Sequence, residues 1–219
     1  MTLPREEVVA GLNDELGQFE ALVRSLDLGE WAAPSRCTGW STGDVAGHVI
    51  GQLADITAGR FDGLGTPEVT ARQVDERRGR TPTELADELA AVTVVANAIL
   101  GSFDEAAWNG PGPAGGGTLG DGVEALWCDA LLHADDIRDA VGRTPEMGPG
   151  VRGAVSHLAE VLTGQGYPPA TLELDGLQQF VVSGGGPVIK GSPEVFVLVA
   201  TGRAAPDVLG LDETVNVYR

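Results

Sequence analysis

Apolar residues return every three or four positions through the first two-thirds of the chain and every second position in part of the remainder, a change of period that divides it. Residues 4–26 place Val8, Val9, Leu12, Leu16, Phe19, Leu22, Val23 and Leu26 on one stripe with acidic residues between them, which predicts an amphipathic helix. Ser41 with Asp44 three positions on reads as a capping box, with Trp40 at the staple position. The helix it starts runs to about Arg60, with Val45, His48, Val49, Gln52 and Ile56 on a shared face, so His48 points inward. Thr81, Pro82 and Glu84 open a third helix whose core face is Leu85, Leu89, Val92, Val95, Ala96, Ile99 and Leu100. A fourth, over 119–141, turns Val123, Leu126, Trp127, Ala130, His133, Ile137 and Ala140 inward, and Gly142 stops it.

The stretches between predict connections: a loop over 27–40, a polar crossing segment over 66–80 broken at Gly79, and a glycine-rich loop over 109–117. Four helices of about 20 residues fit a four-helix bundle whose core can hold a metal site. After Pro149 the pattern changes. Residues 151–164 read as one more helix, and 171–175 and 179–183 alternate as strands about a glycine turn. The apolar run 193–201 is either helix or buried strand, and 215–218 reads as a closing strand. The expected fold is therefore α+β: a bundle over residues 1–146 and a small α+β domain over 147–219.

Composition narrows what such a fold could do. The 219 residues carry 14 Lys and Arg against 32 Asp and Glu, a formal charge of −18, which repels phosphate backbones and argues against a nucleic-acid partner. An anionic small molecule would need a local cationic anchor. Two cysteines, Cys37 and Cys128, are too few for a disulfide framework. No signal-peptide pattern opens the chain and no apolar run reads as a bilayer span of ~20 residues, so a cytoplasmic protein without a membrane partner is expected.

The candidate chemistry lies on the second and fourth helices. Asp129 and His133 are four residues apart, so both leave one helix face about a turn apart, and His48 is an inward imidazole from another helix. Together they offer one oxygen and two nitrogen ligands, a set suited to zinc or a similar divalent ion with a coordination position left open. An internal Asp–His hydrogen bond without metal fits the same spacing. Asp136 could back an imidazole, although pairing with Arg138 or exposure to solvent is the expected arrangement. Asp44 reads as a cap, Cys128 as a buried thiol and His157 as structural. The glycine runs at 110–117 and 184–186 lack the sequence context of phosphate loops. Arg203 follows a glycine turn, where a guanidinium can be aimed at a carboxylate or simply lie at the surface.

Three segments carry a resemblance. Trp31, Pro34, Ser35, Cys37, Gly39, Trp40, Ser41, Asp44, Val45 and His48 in their spacing, the helix from Asp129 through His133 to Arg138, and the tail from Val195 to Arg203 resemble the mycothiol-dependent maleylpyruvate isomerase family of DinB-like metal bundles. The resemblance implies a C-terminal domain of sterol-carrier-like shape, His48, Asp129 and His133 as ligands to a divalent metal such as zinc, and Arg203 as a catalytic contact to substrate or thiol. Family members often have Glu where this chain has Asp129, so the helix must approach the ion more closely or a water must bridge. The implied activity uses mycothiol as a thiol cosubstrate for cis–trans isomerisation or S-transfer on a small electrophile, by a monomer or homodimer. A non-catalytic metal-binding or regulatory protein, or a thiol-independent biosynthetic enzyme such as a cyclase, would use the same pocket.

Overall fold

A computed structural model describes residues 3–218, which divide into two compact units. The fold is α+β: a helical N-terminal unit, residues 5–146, and a small mixed unit formed by residues 147–218 with Leu3 and Pro4.

In the N-terminal unit the long helices are α1 (Arg5–Ser25), α3 (Thr42–Thr57), α5 (Pro82–Ser102) and α7 (Leu119–Ala140), with the short α2 (Leu28–Trp31), α4 (Pro67–Asp75) and α6 (Glu105–Trp108) between them. They close a ring in which α1 packs on α5 and α7, and α3 packs on the same two. The core is what the periodicity requires: Val8, Leu12 and Phe19 from α1 meet a bundle interior that includes Leu85 and Leu89 of α5 and Ile137 of α7, all at most 2% exposed. Each such side chain contributes about 1.5–3 kcal/mol on burial. Start signals at Ser41, Thr81 and Thr118 all form complete capping boxes, which fix where α3, α5 and α7 begin and hence which residues face inward.

Two connections hold more structure than expected. The 27–40 loop contains α2, started by an Asp27 capping box, and the 66–80 crossing segment contains α4, capped by Thr66 with Pro67 in its first turn. α4 lies close against α3 because α3 presents glycine there: a Cβ at Gly51 would sit 2.6 Å from Gln73 Cβ. The core face of α5 is also shorter than its apolar pattern suggests. Its buried residues are Pro82, Leu85, Ala86, Leu89 and Ala96, while Val94 and Val95 are 71% and 46% exposed on a stretch, 89–102, that carries no charge. By length and composition α5 could cross a membrane, contrary to the sequence reading, but its buried residues pack into the bundle against α1 and α3.

In the C-terminal unit α8 (Gly150–Gly164) and α9 (Pro193–Ala200) pack together, and α8 lies on β2. The sheet has the order β2-β1-β3, from β1 (Ala170–Leu174), β2 (Phe180–Val182) and β3 (Val188–Gly191). β2 pairs antiparallel with β1, Leu172 opposite Phe180, and β3 runs parallel to β1, Leu172 opposite Ile189. The four-residue β3 is too short for alternation to reveal it. Residues 193–200 resolve as helix, started by Ser192 and Pro193. The expected closing strand at 215–218 does not form: Glu213–Val215 is a 3-10 turn, and Val217 donates a single backbone bond to Ala200.

Candidate metal centre

His48 of α3 and Asp129 and His133 of α7 are brought together, each offering a ligand atom within 4.8 Å of the others. His48 Nε2 lies 3.9 Å from Asp129 Oδ2, and His133 Nε2 lies 3.5 Å from Asp129 Oδ1. The two imidazoles meet edge to face with centroids 5.2 Å apart. His48 is buried, while the Asp129 side chain keeps 25% exposure, so the carboxylate side is the accessible one.

What stands behind each imidazole decides which nitrogen faces inward. His133 Nδ1 donates to Asp136 Oδ2 at 2.8 Å, and His48 Nδ1 is 3.1 Å from Gln73 Oε1. Each Nδ1 carries the proton that engages an oxygen acceptor, and each Nε2 is the nitrogen turned toward Asp129. That is the tautomer a metal-binding histidine requires, and a carboxylate or amide oxygen behind it is the usual outer support. The donor set of two imidazole nitrogens and one carboxylate fits a zinc-type ion.

Asp136 is therefore neither exposed nor paired with Arg138. It is fully buried, and besides His133 it accepts from Arg36 Nε at 2.5 Å and from the Cys37 thiol at 3.3 Å. Arg36 also pairs with Asp135, and Arg138 instead donates to the carbonyl of Glu146. Arg36 and Cys37 sit on a tight knuckle before α3, closed by Ser35 N to Trp40 O and Trp40 N to Cys37 O, with Gly39 at φ 82° where a side chain would strain the turn. The same knuckle sets the Trp40 ring 5.4 Å from that of His48.

The charges respond accordingly. Burial pushes the pKa of His48 down, His133 adds to this, and Asp129 opposes it. Burial also disfavours the cation at His133, but the charge of Asp129, with the hydrogen bonds His133 makes to Asp129, Asp136 and Cys37, outweighs it and holds that pKa well above the usual imidazole value. Gln73 and Arg36 are the surrounding residues that sequence reasoning did not single out, and Trp40 was read as a staple before the α3 cap. Thr66 followed by Pro67 was the available signal for Gln73, since it is the same helix start recognised at Thr81 and Pro82.

The remaining candidates lie elsewhere. Asp44 completes the α3 cap and also pairs with Arg78. Cys128 is buried on α7, and His157 is on α8 in the C-terminal unit. Arg203 is in the C-terminal unit after α9, its main-chain N–H bonded to Leu198 O at 2.7 Å. There it lines a pocket of about 270 Å³ with Glu213 and Asn216, entered by a turn at Gly202, φ 71°, whose added Cβ would meet Asn216 at 2.6 Å.

Two solved structures share this fold across 96% of both chains with a TM-score of 0.65: the mycothiol-dependent maleylpyruvate isomerase, 20% identical, and a histidine-to-alanine mutant of an enzyme of that name, 17% identical. No curated protein matches the chain. The sequence model of the mycothiol maleylpyruvate isomerase N-terminal domain matches residues 12–138, more than half of the chain and including the whole His48, Asp129 and His133 cluster, and the chain belongs to that family.

Proposed function

We propose that the protein is a metal-dependent enzyme of the maleylpyruvate isomerase type that uses mycothiol as cosubstrate on a small electrophilic substrate. The observation that carries this reading is the convergence of His48 Nε2, Asp129 and His133 Nε2, with both Nδ1 atoms already engaged. Bound there, a divalent ion such as zinc favours thiolate over thiol at neutral pH, which is what thiol addition to a conjugated double bond needs.

The chain's own residues divide the remaining work. His48 and His133 would hold the ion through Nε2, and Asp129 would add a negative oxygen from the more open side. Gln73 and Asp136 keep a proton on each Nδ1, and Trp40 shields His48. Arg203, whose planar fork suits a carboxylate, is the candidate contact for substrate or thiol cosubstrate, and it lines a pocket of the C-terminal unit. Reversible addition with bond rotation gives isomerisation, and retention of the thiol gives S-transfer.

Elemental analysis of untreated protein, followed by assay of a cis-enoic diacid such as maleylpyruvate with and without mycothiol, tests the proposal. The expected result is one divalent ion per chain, lost in His48→Ala and His133→Ala together with thiol-dependent turnover. Metal retained by both variants, or turnover independent of thiol, would overturn it.

A further inference from the structure

Behind His48 stands a chain of hydrogen bonds whose direction is fixed at its far end. Asp55, on α3, is 1% exposed, and its carboxylate accepts from Arg60 Nη2 at 2.7 Å, Arg72 Nη2 at 2.6 Å and Gln73 Nε2 at 2.7 Å. An ionised carboxylate only accepts, so the amide of Gln73 must turn its NH2 group toward Asp55. Its oxygen then faces His48 Nδ1 at 3.1 Å, and an amide oxygen also only accepts. The imidazole must therefore donate from Nδ1, leaving Nε2 as a lone pair on the side of Asp129. Reversing the tautomer would set a lone pair against a lone pair in a place where Gln73 is 1% exposed and water cannot intervene.

We infer that Gln73 is a positioning residue that, oriented by Asp55, fixes the proton of His48 on Nδ1 and so presents its Nε2 lone pair to the site. The consequence for ion binding rests on the metal reading above; the position of the proton does not. The arrangement also makes the two imidazoles unequal, since His133 is backed by the carboxylate of Asp136 and His48 by a neutral amide. α4 belongs functionally to the site although it supplies no candidate ligand. Its register on α3 sets the amide, and Arg77 Nη1, bonded to Gln73 O at 3.1 Å, ties the same turn to the carboxylate of Glu88.

The test combines nitrogen NMR of the histidine rings in metal-free protein with zinc affinity measured by chelator competition. In the wild type the neutral His48 ring should carry its proton on Nδ1, a measurement that needs no variant. Gln73→Met should give a mixture of tautomers and weaken zinc binding about 10- to 100-fold. A wild-type ring protonated on Nε2 would overturn the inference. So would a Gln73→Met protein unchanged in tautomer or in zinc affinity. Wild-type protein with the proton on Nδ1 but no affinity for zinc would support the relay and overturn only the metal reading.

Discussion

The Nδ1 atom of His133 lies 2.8 Å from Oδ2 of Asp136, one turn further along the same helix, so a candidate ligand and its support are set by a single stretch of backbone. Asp136→Asn keeps an acceptor of nearly the same shape but removes the charge. Zinc affinity by chelator competition should fall about 10- to 100-fold.

Arg36 joins the knuckle before α3 to two buried carboxylates of α7. With Asp135 and Asp136 at 3% and 0% exposure, removing the guanidinium strands both charges. Arg36→Met should cost about 2–4 kcal/mol in denaturant unfolding. Arg36→Lys should recover only part of this, because an ammonium cannot reproduce the paired geometry of the fork.

The metal candidates were legible because two strong local rules coincided. The Ser41 cap fixes the phase of α3 and so the inward direction of His48, and four-residue spacing places Asp129 and His133 on one face whatever the tertiary context. Gln73 had only the Thr66-Pro67 helix start to announce it. α4 buries only Gln73 and Val74, so its sequence has the polarity of a connection and no stripe to reveal a helix. Asp136 was misread because Arg138 is its neighbour in sequence while Arg36 is its neighbour in space, and only the latter distance governs pairing. The closing strand failed for a related reason: its alternation was real, but Val215 and Val217 are buried by a 3-10 turn and a loop.

Gly51 lets α4 approach α3. Alanine in an exposed helix would ordinarily stabilise it by up to about 1 kcal/mol relative to glycine. Here the new methyl would lie 2.6 Å from Gln73 Cβ and 2.9 Å from Arg77 Nη1, so α4 must move. Overpacking of this kind costs about 1–3 kcal/mol, and Gly51→Ala should therefore lower the unfolding midpoint. Zinc affinity should fall with it, since Gln73 is displaced from His48.

Glu15 on α1 is 3% exposed, and burial raises its pKa to about 7, partly offset by the Arg138 charge and reinforced by Glu146. The folded protein therefore holds a proton that the unfolded chain releases near pH 4.5, so stability declines as pH rises from about 4.5 to about 7. Glu15→Gln removes that dependence. Unfolding at several pH values should show the variant gaining roughly 1–3 kcal/mol relative to wild type above pH 7 and little near pH 4.5.

The uncharged outer side of α5, with Val94 and Val95 open to water, sits on a molecule of net charge −18. At 0.01 M salt, mutual repulsion between copies reaches about 30 Å, but at 1 M it fades within about 3 Å. Dilute buffer should thus keep the molecules dispersed, whereas concentrated salt strips away that protection and leaves a valine-rich ridge free to stick. Colloidal behaviour is consequently governed by ionic strength, and light scattering along a salt series would register the change before any loss of folded structure.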